Sequence, residues 1–243
     1  MEKCIILRYG EISVRGKNRR MYEDVLEKNV KVMLSKHNVN AKIKRYKGRM
    51  IALTDSDAPF LKKVFGVISI SSAYRVKREA KEINQALEKL GNPIPILKFA
   101  DKGKEDMALI EKIVKGSSGK AFIEVYPDNA FVYSKKEKAA GGLPIGSEGR
   151  VIAIIENERD ILAALLMMKR GCEIIPFLKN KIDIVLLREY GCDNEITTVL
   201  DAKDALAVIT GKKEKFSIPK LNPLAGMSYE KIKEMLRHFH SYL

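Results

Sequence analysis

Two groups of residues in this chain are of types that do chemistry, and they ask for different things. Arg15, Lys17, Arg19 and Arg20 fall within one short stretch, and Lys44, Arg45, Lys47 and Arg49 crowd a second around Tyr46. Clustered guanidinium and ammonium groups neutralise phosphates, and a tyrosine among them offers a face on which a base can stack. The other group is Glu156-Asn157-Glu158-Arg159-Asp160, which lies between the apolar run Val151–Ile155 and the helix-forming run Ile161–Arg170. Strand, tight bend and helix make the opening unit of an open α/β domain, and that bend is where a nucleotide's phosphates normally sit. A phosphate cradle needs glycines for close backbone approach, and donors around the anion. This bend has no glycine and three carboxylates. Its architecture is that of a nucleotide site, and its chemistry opposes one, so no cofactor is expected there.

The charge balance favours the first group. The 243 residues carry a formal net charge of +14. Residues 1–50 hold fourteen Lys and Arg against five Asp and Glu, so the surplus is concentrated at the N-terminus. That is the electrostatic footprint of a polyanion partner, and nucleic acid is preferred over an anionic membrane because no basic amphipathic helix with a bulky apolar face is present. The bland alternative, a solubilising surface, would mix signs. No apolar run suggests a membrane span and the N-terminus leads straight into a strand, so neither signal peptide nor membrane segment is expected. Three cysteines, Cys4, Cys172 and Cys192, are odd in number and suit a reducing cytoplasm.

None of these cysteines has the setting of a sulfur carrier. Cys172 precedes an apolar run and reads as a buried small hydrophobe. Cys192, in Gly191-Cys192-Asp193, reads as a surface thiol whose acidic neighbours disfavour the thiolate. His238 and His240 are two apart on a helix and point to different faces, so no metal site is expected. Asp160, alone among the bend's acids, is placed to cap the helix that follows.

The elements that position these residues follow from periodicity. Cys4–Tyr9 is expected as a strand, Gly10–Arg20 as a loop and Met21–His37 as a helix with apolar positions at spacings of three and four. Ala41–Tyr46 and Arg49–Thr54 form a hairpin about Lys47-Gly48, Asp57–Phe65 a short helix and Val67–Val76 a strand. The order βαββαβ is that of a ferredoxin-like domain. Lys77–Leu90 and Glu105–Lys115 read as helices around the strand Ile94–Phe99, and Phe122–Tyr126 and Ala130–Ser134 as a hairpin. Cys172–Leu178 is a buried strand, Ile182–Tyr190 is open between helix and strand, Glu195–Leu200 is strand-like and Ala202–Ile209 helical. Ser228–Tyr242 closes the chain as an amphipathic helix with Ser228 as N-cap.

These stretches carry a family resemblance. GGLPIG, a hydrophobic strand, then LMMKRG and EIIP resemble the junction in the tRNA sulfurtransferases that make 4-thiouridine. There it joins an RNA-binding THUMP domain to an ATP-pyrophosphatase (PP-loop) domain. RYGEISVRGKNRR, residues 8–20, resembles the N-terminal signature of the same family, whose members begin with a ferredoxin-like domain. FIEVYPDNAFVYS is similar to the closing hairpin of a THUMP domain, and IPKLNPLAGMSYEKI to a late segment of the catalytic domain. The departures are as specific. The family's Ser-Gly-Gly-x-Asp-Ser is replaced by Glu-Asn-Glu-Arg-Asp, one residue shorter. The cysteine-bearing segment that carries the sulfur has no counterpart, and the THUMP-like and PP-loop-like parts are short.

The resemblance therefore implies an α/β protein of three parts: a ferredoxin-like domain at 1–76, a reduced THUMP-like domain at 77–140 and a truncated Rossmann-like PP-loop remnant at 141–243. It implies tRNA as partner, near the acceptor end. Candidate contacts are Arg8, Arg15, Lys17, Asn18, Arg19, Arg20, Lys44, Arg45, Lys47, Arg49, Lys135 and Lys136. With Glu156, Asn157, Glu158, Arg159 and Asp160 in place of the nucleotide loop, no catalytic residue, cofactor or metal is assigned. The leading function is a cytoplasmic tRNA-binding protein without adenylation activity of its own, serving a protein partner that supplies the chemistry. The alternatives are an active sulfurtransferase with a non-standard ATP site and an assembly subunit with no RNA role. The oligomeric state stays open, a homodimer included.

Overall fold

The computed structural model describes residues 1–46, 48–100, 106–114, 116–197, 204–211 and 215–241. Lys47, Lys212, Lys213 and the end of the expected strand Glu195–Leu200 lie outside the described residues. The elements in order are β1 (Glu2–Arg8), α1 (Arg19–Lys36), β2 (Lys42–Tyr46), β3 (Arg49–Leu53), β4 (Ser69–Lys77), α2 (Ala80–Lys89), β5 (Ile94–Phe99), α3 (Met107–Glu111), β6 (Lys120–Val125), β7 (Asn129–Tyr133) and β8 (Glu137–Lys138). They continue with β9 (Arg150–Ile155), α4 (Glu158–Lys169), β10 (Glu173–Leu178), α5 (Val185–Glu189), β11 (Ala205–Ile209), β12 (Lys220–Leu221) and α6 (Tyr229–His240). Contacts divide the chain into two units, one of Met1–Arg8, Asn38–Pro59 and Ser69–Lys138, the other of Tyr9–His37, Phe60–Ile68 and Ala139–Leu243.

The first unit is built on one sheet in the order β2-β3-β1-β4-β7-β6-β5, with β8 paired to β4. The strands of residues 1–76 and of 77–140 join along the antiparallel β4–β7 ladder, where Tyr74 lies opposite Val132. Alternation along each strand sends its two sets of side chains to opposite faces. Ile123, Val125, Ala130 and Val132 meet Ile83, Ala86 and Leu87 of α2 and Leu109 of α3. The other face gathers Cys4, Ile6, Ile51, Ala73, Phe131 and Tyr133, with Tyr46, Phe122 and Tyr126 packed against them and no helix among them.

That second face is buried because the sheet curls over it. The Tyr46 and Tyr126 rings are 5.3 Å apart, and Tyr46 is also 5.4 Å from Phe131. Five ladders separate β2 from the strand that leads into Tyr126, a distance of roughly 24 Å in a flat sheet at ~4.8 Å per strand. The curl brings both flanks over a shared core, so Ile6, Ile51 and Phe131 have no exposed surface.

The second unit holds a parallel sheet in the order β10-β9-β11-β12. Helix α4 buries Ile161, Leu162, Leu165 and Met168 against it, joined by Leu187 and Tyr190 beside α5 and by Ile232 and Phe239 of α6. Each such side chain contributes about 1.5–3 kcal/mol when fully buried. The motif pair that marks the family junction is one physical feature here. Gly142 (φ +75) packs so closely on the end of α4 that a Cβ would stand 2.1 Å from the Lys169 carbonyl oxygen, and Gly171 (φ +95) would bring one to 2.5 Å from Ser147 Oγ. The amides of Leu143 and Gly146 donate to the carbonyls of Lys169 and Gly171. GGLPIG thus wraps the C-terminus of α4, where LMMKRG ends.

Two expectations are corrected. Ala205–Ile209 is the strand β11, not a helix, and pairs in parallel with β9. Ala and Leu favour a helix locally, but a place beside the buried central strand overrides propensity. Glu195–Thr197 belongs to no strand element, although the Thr197 amide donates to the Pro176 carbonyl at 2.9 Å. The segment left open, Ile182–Tyr190, contains the short helix α5.

Candidate nucleic-acid interface

The curled sheet of the first unit concentrates charge at one place. Glu124, on β6 between the apolar Ile123 and Val125, turns its carboxylate inward among the aromatic residues of that face, and its side chain is only 9% exposed. A buried carboxylate needs partners. Arg49 of β3 forms an ion pair with it, Arg8 of β1 approaches with Nη2 3.6 Å from Oε1, and the Tyr133 hydroxyl donates to Oε1 at 2.8 Å. Arg8 also donates to Ser71 Oγ at 3.0 Å and lies 4.7 Å from the Tyr133 ring centroid. Burial lowers the Arg8 pKa from its ordinary value and raises that of Tyr133.

Arg8 and Arg49 are therefore inward-facing, at 11% and 16% side-chain exposure, where the sequence reading groups them with outward contacts. Lys136 stays exposed beside them, its ammonium 5.1 Å from the Phe122 ring centroid and 5.9 Å from that of Tyr133. Desolvation lowers its pKa, with added repulsion from Arg8, Lys98 and Arg49. Lys98 of β5, opposite Glu124 in the parallel register, completes a group that sequence reasoning missed. The signal was present: a single carboxylate in the alternation of Phe122, Glu124 and Tyr126 must find a cation. Lys135 is exposed and its carbonyl accepts from Ser71 Oγ at 2.6 Å; Arg45 is exposed and Lys44 half-buried, both on β2.

In the second unit the basic loop is more ordered than its composition suggests. Glu11–Val14 and Gly16–Asn18 form two short 3-10 turns that feed α1. Arg15, Lys17, Asn18 and Arg20 are exposed. Arg15 lies 5.0 Å over the Tyr22 ring, and Tyr22 donates to Glu148 at 2.6 Å. Arg19 is held by Glu23 at 2.7 Å, and the same carboxylate accepts from the Tyr9 hydroxyl at 2.6 Å. Arg19 is thus the loop's internal brace, and the others face solvent.

The bend after β9 is occupied by its own side chains. Asn157 is the N-cap of α4, and its Oδ1 accepts from the Arg159 amide at 3.0 Å. Asp160 folds back so that Oδ2 accepts from the amides of Glu156 at 2.9 Å and Asn157 at 3.2 Å, closing a capping box. Glu156 pairs with Lys179 at 3.3 Å. Beside the bend, at the C-terminal ends of β9 and β11, lies a cavity of about 240 Å³ whose lining includes Glu156, Asn157, Asp160, Thr210 and Asn222. The amides of Glu156 and Asn157, just before the helix, already hold a carboxylate.

All three cysteines are buried, Cys192 included, which corrects its reading as a surface thiol. The turn after α5, closed by the Cys192 amide on Leu187 O, sets its sulfur 3.6 Å from the Ile174 carbonyl. Burial pushes the Cys192 thiol up to about 11 and that of Cys4 up to about 12. Among the described residues no three His, Cys, Asp or Glu side chains are grouped to hold a metal ion, and no helix is long and apolar enough to cross a membrane.

Residues 4–71 match the family model described as the ThiI ferredoxin-like domain. A probable tRNA sulfurtransferase of Thermococcus kodakarensis is 30% identical over 209 residues, covering 72% of this chain and 55% of the relative. One from Methanocaldococcus jannaschii is 25% identical and aligns with 98% of the chain and 74% of the relative. The chain is similar to the ThiI-like tRNA sulfurtransferases. Against most of the curated family members it matches, it spans about half their length. The crystal structure of the protein PH1313 from Pyrococcus horikoshii superposes with a TM-score of 0.80 at 26% identity, over 98% of this chain and 99% of that one. A 4-thiouridine synthetase crystallised with RNA and ATP shares the fold at a TM-score of 0.74, with 20% identity, over 100% of this chain and 86% of that one. The ThiI ferredoxin-like match covers β1, α1, the β2–β3 hairpin and the start of β4.

Proposed function

We propose that this protein is a cytoplasmic tRNA-binding protein that recognises tRNA near the acceptor end and performs no ATP-dependent adenylation of its own. A partner protein would then supply the chemistry. The parts before Gly141 act as the RNA-binding portion, and 141–243 as a shortened PP-loop-like domain. The RNA half of the reading is supported by similarity to these sulfurtransferases and by exposed cations in the Arg15–Arg20 loop, on β2 and after β7. The observation that carries the other half is the capping box at α4, where Asp160 occupies the amides of Glu156 and Asn157 just before the helix. A triphosphate would have to displace that carboxylate and face Glu156 beside it.

The cavity next to the bend favours one rival, a sulfurtransferase with a non-standard ATP site, because it lies where open parallel sheets bind ligands. ATP–pyrophosphate exchange and thiolation of unmodified tRNA separate the two readings. Electrophoretic titration with tRNA at several salt concentrations tests the binding itself. Salt-dependent binding without exchange is the expected result, and exchange above background would establish the rival.

A further inference from the structure

At the curled sheet of the first unit, Arg8, Arg49, Lys98 and Lys136 gather around the carboxylate of Glu124. Arg8 and Arg49 both pair with this carboxylate, and both are largely withdrawn from water. Arg8 Nε and Nη2 are buried without a hydrogen-bond acceptor. Charge withdrawn from water is weakly screened, so the potential of these guanidinium groups reaches the surface beside them. At that surface stand the exposed Lys98 and Lys136, with the Phe122 and Tyr133 rings stacked 5.4 Å apart beneath the Lys136 ammonium.

We infer that Lys98 and Lys136 form a binding site for one phosphate of bound RNA, with Arg8 and Arg49 behind them supplying field rather than contact. The inference rests on the tRNA-binding reading and adds a location and a division of labour to it. The two ammonium groups can each donate to phosphate oxygens. The rings below limit hydration on one side. The repulsion that Arg8, Lys98 and Arg49 add to desolvation at Lys136 is relieved when an anion arrives. Glu124 keeps Arg8 and Arg49 oriented and prevents their charge from repelling the fold apart.

The test uses the full chain and two probes, an unmodified tRNA transcript and inorganic phosphate. Lysine acetylation read by mass spectrometry should show Lys98 and Lys136 protected by both probes, while Lys233 of α6 is unchanged. Replacing Lys98→Gln and Lys136→Gln together should flatten the slope of log affinity against log salt by about 0.7, the value of one single-strand phosphate contact. tRNA binding with no protection at these lysines and an unchanged slope would overturn the site and leave the tRNA reading intact. Protection by phosphate with no tRNA binding would overturn the RNA assignment and the tRNA reading together, leaving a free-phosphate site. Equal protection of Lys233 would mark nonspecific attraction and also overturn the site. Both substitutions are at exposed side chains, so circular dichroism of the variants should match that of the parent.

Discussion

Arg49 forms an ion pair with Glu124 although four strand ladders lie between β3 and β6. The contact exists because the sheet is curled, and it closes a cluster in which Arg8 and Tyr133 share the same carboxylate. Glu124→Ala removes the carboxylate that Arg8 and Arg49 share and leaves two guanidinium groups nearly buried. Losing one side of a buried pair costs about 3–5 kcal/mol. Urea denaturation should show a loss in that range with little change in the m-value. A loss under 1 kcal/mol would mean that water reaches both arginines freely.

The bend after β9 should not bind ATP. Glu156 and Asp160 stand where the phosphate oxygens would lie, and like charges about 4 Å apart cost on the order of 4 kcal/mol at a near-surface dielectric. Calorimetry with magnesium and ATP should give no micromolar isotherm. Asp160→Ala should instead reveal its structural role, lowering stability by about 1 kcal/mol through loss of the capping box.

Cysteine chemistry should be silent in the folded protein. With the Cys192 thiol near 11, its thiolate is scarce at pH 8, and the sulfur is enclosed besides. Iodoacetamide should label none of the three cysteines until denaturant is added, and incubation with a cysteine desulfurase should leave no persulfide on Cys192. Because folding raises this pKa from 9.0, the protonated thiol contributes stability in full below pH 9, and that contribution fades as pH rises through about 11. Thermal midpoints should fall over that interval, less steeply in Cys192→Ala. A persulfide detected on the native chain is the outcome that refutes the assignment.

The basic loop should contribute phosphate contacts of its own. Arg15→Ala with Lys17→Ala should weaken tRNA binding and flatten the salt slope by roughly 1.4, two single-strand contacts. Lys212→Ala with Lys213→Ala should leave the slope alone. Equal losses from both pairs would point to the net charge of +14 acting nonspecifically. That would favour an assembly role without dedicated RNA recognition.

Much of this was open to reading before any coordinates. Periodicity located β1, α1, the β2–β3 hairpin and the strand–bend–helix of β9 and α4, because each buries a regular stripe or face that its own residues specify. Asp160 was legible as a capping residue because capping is a contact within four residues, but it acts from the third position of α4 and Asn157 is the N-cap. Ser228 at the start of α6 is another such case, its hydroxyl accepting from the Lys231 amide.

What the linear chain did not disclose depends on contacts between residues far apart in it. Ala205–Ile209 has the composition of a helix, and only its place against β9 makes it a strand. Cys192 looked like a surface thiol beside acids, and only the turn against Ile174 buries it. Arg8, Arg49 and Lys136 could be counted as cations, but which of them face solvent was decided by Glu124. Glu124 meets Arg8 and Arg49 only because the curl of the sheet outweighs the sequence distance between them. Local rules place side chains on faces, and long-range packing decides which faces meet.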